Sequence, residues 1–199
     1  PLARSAAEAT GRILGPDDYS TLIQLSTVAS ILDYAGDCPG ALEIARTVRT
    51  RMAARYGEDR QATLVETGNL GFKERDCGDR EAGLDYLRRA ESGLRRLYGE
   101  DNVAAHSFRY ALANALADEG RHAEALEMAG GLDIQALTAG DATPGWEHRV
   151  RALRGRILLQ SGDDAGRPLL ESALSALSAT GAGDEEELAQ WRALLATTR

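Results

Sequence analysis

Of the 23 basic residues in this 199-residue chain only one, Lys73, is a lysine. Aromatics make up 5% of the chain, and there are two cysteines, two methionines and five prolines. Each scarcity excludes something. A β-sandwich core draws on aromatic and β-branched residues. Here alanine and leucine supply most of the apolar mass, which suits closely packed helices. No apolar run is long enough to span a bilayer, and no signal-peptide pattern opens the chain. It begins at Pro1 without a methionine, which reads as a fragment or a processed form. A basic face is also missing. The net charge is −8, the pI is about 5.0, and the arginines are scattered among carboxylates. Binding to phosphate backbones needs clustered cations, so this segment is expected to engage neither nucleic acid nor a membrane. The shortage of lysine reads as codon bias in a GC-rich genome.

Catalytic patterns are equally scarce. There is no Gly-x-x-x-x-Gly-Lys-Ser/Thr phosphate loop, no Gly-x-Ser-x-Gly, no His-Glu-x-x-His, no Cys-x-x-Cys and no calcium loop. Lys73 stands between Phe72 and Glu74 in mid helix, not in a glycine-rich loop. The reading is therefore non-catalytic, with no cofactor and no metal.

What is present is a repeat. Gly15, Gly57 and Gly99 are 42 residues apart, and Asp17, Asp59 and Asp101 follow in the same register. A second series runs Gly36, Gly78, Gly120 and Gly162, and a third, uniformly small, runs Ala29, Gly71, Ala113 and Gly155. The first glycines follow apolar helical stretches, where the residue past a helix end takes positive φ. The aspartates read as N-caps of the next helix, and Thr143–Pro144 fills that role in the fourth unit. Asp37, Asp79 and Asp163 read as caps after the second glycine series. The small series lets two helix backbones approach closely. Each unit is thus helix A, tight turn, helix B and short loop. The A helices are expected at 17–35, 59–77, 101–119 and 144–161. The B helices are expected at 38–56, 80–98, 122–138 and 167–180. A helix at 2–14 ends a preceding B position, and a helix near 184–197 caps the array. The units fall at 16–57, 58–99, 100–141 and 142–181, with the cap at 183–199, in one domain. Gly130–Gly131 interrupts the third B helix, Pro168 delays the fourth, and residues 139–146 form a breaker-rich joint.

On these residues the chain resembles the tetratricopeptide (TPR) family. That family's signature has a small residue in mid helix A, a glycine seven later and an alanine five beyond. Ala113, Gly120 and Ala125 fit, as do Ala29, Gly36 and Ala41, whereas Gly83 and Arg167 replace the alanine in units two and four. The 42-residue unit, with Leu-Gly-Pro-Asp or Tyr-Gly-Glu-Asp between repeats, is similar to the longer kinesin-light-chain-like subclass. The resemblance covers about residues 1–180. It implies an all-α fold, a right-handed α-solenoid of about four repeats, whose A helices line a concave groove.

Within that fold the resemblance places ligand-facing positions one, four and five after the small residue. They are Ser30, Asp33 and Tyr34, then Phe72, Arg75 and Asp76, then Asn114, Ala117 and Asp118, and finally Arg156, Leu159 and Gln160. Asp76 and Asp118 stand where a clamp for a terminal carboxylate would want a cation. The implied ligand is a protein or peptide segment with basic and apolar character. The second reading is the sensory or regulatory domain of a bacterial signalling protein. Its parent could be a membrane-anchored winged-helix transcription regulator or a TPR-tailed kinase or ATPase. Cys38 and Cys77 lie at the A–B turns of neighbouring units. A disulfide, implying an oxidising and for example periplasmic compartment, and two thiols in a cytoplasmic protein both fit. His106 and His148 read as packed between helices, with a pH response open to them. His122 takes a turn position, and Trp146 and Trp191 read as core anchors.

Overall fold

The computed structural model describes residues 2–140 and 145–197, which form eleven helices and no strand. In chain order these are α1 (Leu2–Leu14), α2 (Tyr19–Tyr34), α3 (Cys38–Tyr56), α4 (Gln61–Cys77), α5 (Arg80–Tyr98) and α6 (Val103–Asp118). Then come α7 (His122–Gly130), α8 (Ile134–Gly140), α9 (Trp146–Gln160), α10 (Gly166–Thr180) and α11 (Glu185–Thr197). The chain forms two compact units, Pro1–Glu100 and Asp101–Arg199, which divide between the second and third repeats.

In the first unit α2 packs on α1 and α3, and α4 packs on α3 and α5. Gly15, Gly57 and Gly99 end their helices with φ of 100°, 92° and 98°, a region closed to most side chains. The residues after them depart from expectation. Asp17, Asp59 and Asp101 are not the caps; Asp18, Arg60 and Asn102 hold the N-cap positions. Asp18 accepts from the Ser20 amide and Asn102 from the Ala105 amide, whereas Arg60 offers no side-chain cap. At Asp17 and Asp59 the physical reason is a tyrosine staple. Tyr56 Oη donates to the Asp17 carbonyl and Tyr98 Oη to the Asp59 carbonyl, each at 3.2 Å, which holds those residues in the turn. Asp37 and Asp79 do cap, accepting from the Gly40 amide and from the Glu81 and Ala82 amides.

The small series sits at the A–B crossing. A Cβ at Gly71 would lie 3.0 Å from the Gly83 carbonyl oxygen, and one at Gly83 would lie 2.8 Å from that of Gly71. In the fourth unit the same reciprocal pair is Gly155 and Gly166, so the residue facing the small position is Gly166 and not Arg167. In units one and three the positions hold Ala29 with Ala41 and Ala113 with Ala125, all buried. Around these crossings lie Leu22, Leu70, Val48 and Met52, none more than 1% exposed. Each such side chain contributes roughly 1.5–3 kcal/mol by leaving water.

In the second unit the third B helix is broken. After α7 the chain turns at Gly131 and restarts as α8, where Asp133 accepts from the Gln135 and Ala136 amides. The restart is also tied from α6, because the Asp133 amide donates to buried His106 Nδ1 at 3.4 Å. The Thr143–Pro144 cap lies outside the described residues; α9 follows Gly145, whose φ is 82°. Pro168 does not delay α10, which starts at Gly166 with proline inside the first turn, where no intrahelical acceptor is lost. Asp163 accepts from the Ala165 amide in the turn ahead of it. Trp146 meets Tyr110 edge-on at 5.2 Å between ring centroids. Trp191 joins Leu170, Leu177 and Leu188 under α11.

Candidate functional site

Within the first unit, side chains of α2 and α4 meet along one strip. At its N-terminal end Tyr19, Ile23, Gln61, Ala62, Val65 and Glu66 line a depression of about 320 Å³. A second compartment of similar size shares Tyr19, Gln61 and Ala62 with it and adds Tyr56, Arg60 and Tyr98. Tyr19 and Tyr56 pack edge-on at 6.1 Å. Beyond the depression the strip turns polar. Ser26 Oγ donates to Glu66 Oε2 at 2.7 Å, and Lys73 Nζ stands 3.6 Å from Asp33 Oδ2. Glu66 and Lys73 are each only 6% exposed. Burial raises the Glu66 carboxyl above its ordinary pKa, a shift that hydrogen bonds from Ser26 and Asn69 and the charge of Lys73 oppose.

The C-terminal end of the strip is open and carries apolar as well as charged groups. Tyr34 is 97% exposed and Ile31, one turn before it, 50%. Phe72 is half-buried, Asp76 is exposed, and Arg75 Nε lies 3.6 Å from Asp76. Ser30 turns its hydroxyl back onto the Ser26 carbonyl. Cys38 and Cys77 form a disulfide with Cα atoms 5.3 Å apart, tying the start of α3 to the end of α4. Asp33 Oδ1 lies 3.7 Å from Cys77 Sγ. On the other side of α4, Arg46 grips buried Glu74 with two hydrogen bonds of 2.7 and 2.9 Å.

In the second unit the corresponding residues are engaged with one another. Arg156 donates to Asp118 Oδ1 at 2.8 Å and to Asn114 Oδ1 at 2.9 Å, which uses two of its nitrogens internally. Arg149 donates to Glu187 and to the Ala182 carbonyl, and so brings α11 onto α9. Burial raises the Glu187 carboxyl above its usual range against the pull of Arg149. Tyr110 is pushed up to about 12, first by burial and then by the Glu187 charge. Gln160 is exposed. Ala117 and Leu159, expected to face a ligand, are buried at 2% and 4%. A residue four on from the small position returns to the same helix face, which here faces the partner helix.

The sequence-derived set therefore separates by environment. Tyr34 and Asp76 are exposed and Phe72 is half-buried. Asp33 is held by Lys73, and Arg156, Asn114 and Asp118 hold each other. Sequence reasoning passed over Glu66 and Lys73, and the depression formed by Tyr19, Ile23 and Val65. The available signal was the position of Lys73, seven residues after Glu66 and thus on the same helix face. Among the described residues no group of three or more His, Cys, Asp or Glu side chains could hold a metal ion, and no helix is long and apolar enough to cross a membrane.

No protein-family model matches the sequence, and no curated protein matches it. Solved structures do. A Podosopora anserina protein assigned as a kinesin light chain, with nearly identical TPR-like repeats, is similar in two crystal structures. One, a variant, has a TM-score of 0.73 at 15% identity, covering 92% of this chain and 86% of that one. The other has a TM-score of 0.68 at 14% identity, covering 90% and 95%. BtubC (BKLC) from P. vanneervenii has a TM-score of 0.66 at 16% identity, covering 90% of this chain and 66% of its own length. The fold is a TPR-like repeat fold.

Proposed function

We propose that this chain is a non-catalytic protein–protein interaction module that receives a partner segment along the α2–α4 strip. The observation that carries the reading is Tyr34, almost wholly exposed beside Ile31 at the C-terminal end of α2. An aromatic ring held by a helix and open to solvent supplies contact area at little entropic cost. Buried and exposed carboxylates along the same strip favour a segment that is basic as well as apolar. The TPR-like repeat fold is in keeping with a binding rather than a catalytic role. A persistent Cys38–Cys77 bond would place that work in an oxidising compartment.

The test is selection of a displayed random-peptide library on the full chain. Replacing Tyr34 or Phe72 by Ala should weaken the enriched peptides about tenfold, or roughly 1.4 kcal/mol each, with the helical circular dichroism unchanged. Peptides that bind both variants as tightly as the parent would move the interaction surface elsewhere.

A further inference from the structure

The depression between the N-terminal halves of α2 and α4 has a chemistry that the rest of the strip lacks. Its walls are Tyr19, Ile23 and Val65, and it reaches Glu66. Glu66 is buried, and its carboxylate accepts hydrogen bonds from Ser26 and Asn69. Lys73, on the same helix face, pairs with Asp33 at 3.6 Å and acts on Glu66 through its charge and not through a hydrogen bond. A carboxylate has about four lone-pair sites, so acceptor capacity remains after two donors. An apolar side chain filling the depression would seal the carboxylate from water without adding a countercharge, which is costly. A cation entering instead would offset its burial. Arg60 does not serve, because it lines the adjoining compartment and not the one that Glu66 reaches.

Guanidinium and ammonium groups differ here. A guanidinium is planar, weakly hydrated, able to stack on a tyrosine ring and able to present two parallel donors to one carboxylate. The site offers a ring, Tyr19, half exposed at 48%, and a carboxylate within one depression of about 320 Å³. We propose that this depression is a subsite for an arginine side chain of the partner segment, with Glu66 receiving the guanidinium and Tyr19 flanking it. The proposal rests on the interaction-module reading and assigns the partner a basic anchor some distance from the contact at Tyr34.

Two experiments on the full chain test it. In the first, N-acetyl-arginine methylamide is titrated and backbone amide resonances are followed. The expected result is saturating shifts at Ala62, Val65 and Glu66, with the uncharged citrulline analogue at least about tenfold weaker. Glu66→Gln and, as a second variant that leaves the carboxylate in place, Tyr19→Ala should each weaken the probe, while Tyr34→Ala should not. Absence of shifts, or equal shifts with citrulline, overturns the subsite and leaves the wider interaction reading to the Tyr34 and Phe72 variants. In the second, peptides enriched from the displayed library should carry an arginine whose replacement by citrulline weakens binding about tenfold in the parent and far less in Glu66→Gln. If the small probe binds but no such coupling appears, the depression takes a free guanidinium compound and the assignment to a partner side chain is wrong.

Discussion

At Gly155 a built Cβ would stand 2.7 Å from the Leu170 amide nitrogen and 2.8 Å from the Gly166 carbonyl oxygen. Both are backbone atoms and cannot swing aside. Gly155→Ala is therefore expected to cost about 1–3 kcal/mol in urea unfolding. Gly130→Ala, with nothing within 4 Å of the new carbon, should be neutral or slightly stabilising. Equal effects would show that the α9–α10 approach is not tight. Tyr110 gives a second residue-scale prediction. Its folded pKa of about 12 lies above the ordinary value of 10.0, so the fold favours the protonated phenol. The native state holds that proton longer than the unfolded chain. The associated stability is present below pH 10 and is lost as the pH rises toward 12, by roughly 2–3 kcal/mol. Tyr110→Phe should remove that part of the alkaline decline in denaturant titrations. An unchanged decline would mean that the phenol is not buried. The small residues at the crossings were legible in sequence because backbone approach leaves no alternative to Gly or Ala. The surroundings of Tyr110 were not, because Glu187 reaches it from a helix more than seventy residues later.

Among the elements, the α2–α3 and α4–α5 turns are tied together by the disulfide, which closes a separation of 39 residues. Removing such a cross-link releases loop entropy worth about 3–4 kcal/mol in the unfolded chain. Reduction by a dithiol, or joint replacement of Cys38 and Cys77 by Ser, should lower amide-exchange protection in α3 and α4 by a corresponding amount. Unchanged protection would show that the bond adds nothing to the unit. Helix positions were readable from the sequence to within about two residues, yet every A helix of the first three units begins two residues late. Tyr56 and Tyr98 explain the shift in the first two repeats, because their hydroxyls hold the Asp17 and Asp59 carbonyls outside the helix. Such a bond spans 39 residues and leaves no trace in local propensity. The facing residue in the fourth unit slipped from Arg167 to Gly166 for a related reason: the glycine needed opposite Gly155 decided where α10 crosses.

For the molecule as a whole, the 42-residue period was sufficient to indicate an all-α repeat fold, because three series in one register specify where helices stop, turn and touch. The binding surface was less legible. Periodicity says which residues share a helix face, but not whether they are already occupied. Arg156 is engaged by Asn114 and Asp118, and Asp33 by Lys73, whereas Tyr34 is bare. Whether a side chain is taken depends on partners about forty residues away, which a single sequence does not reveal. The proposed binding surface is therefore the α2–α4 strip. Its most direct test is the footprint of an enriched peptide on the full chain, read by amide hydrogen exchange. Protection is predicted along the α2 and α4 strip from Tyr19 to Tyr34 and from Val65 to Asp76, with α3 and α5 unaffected. A footprint confined to α3 and α5 would contradict the account.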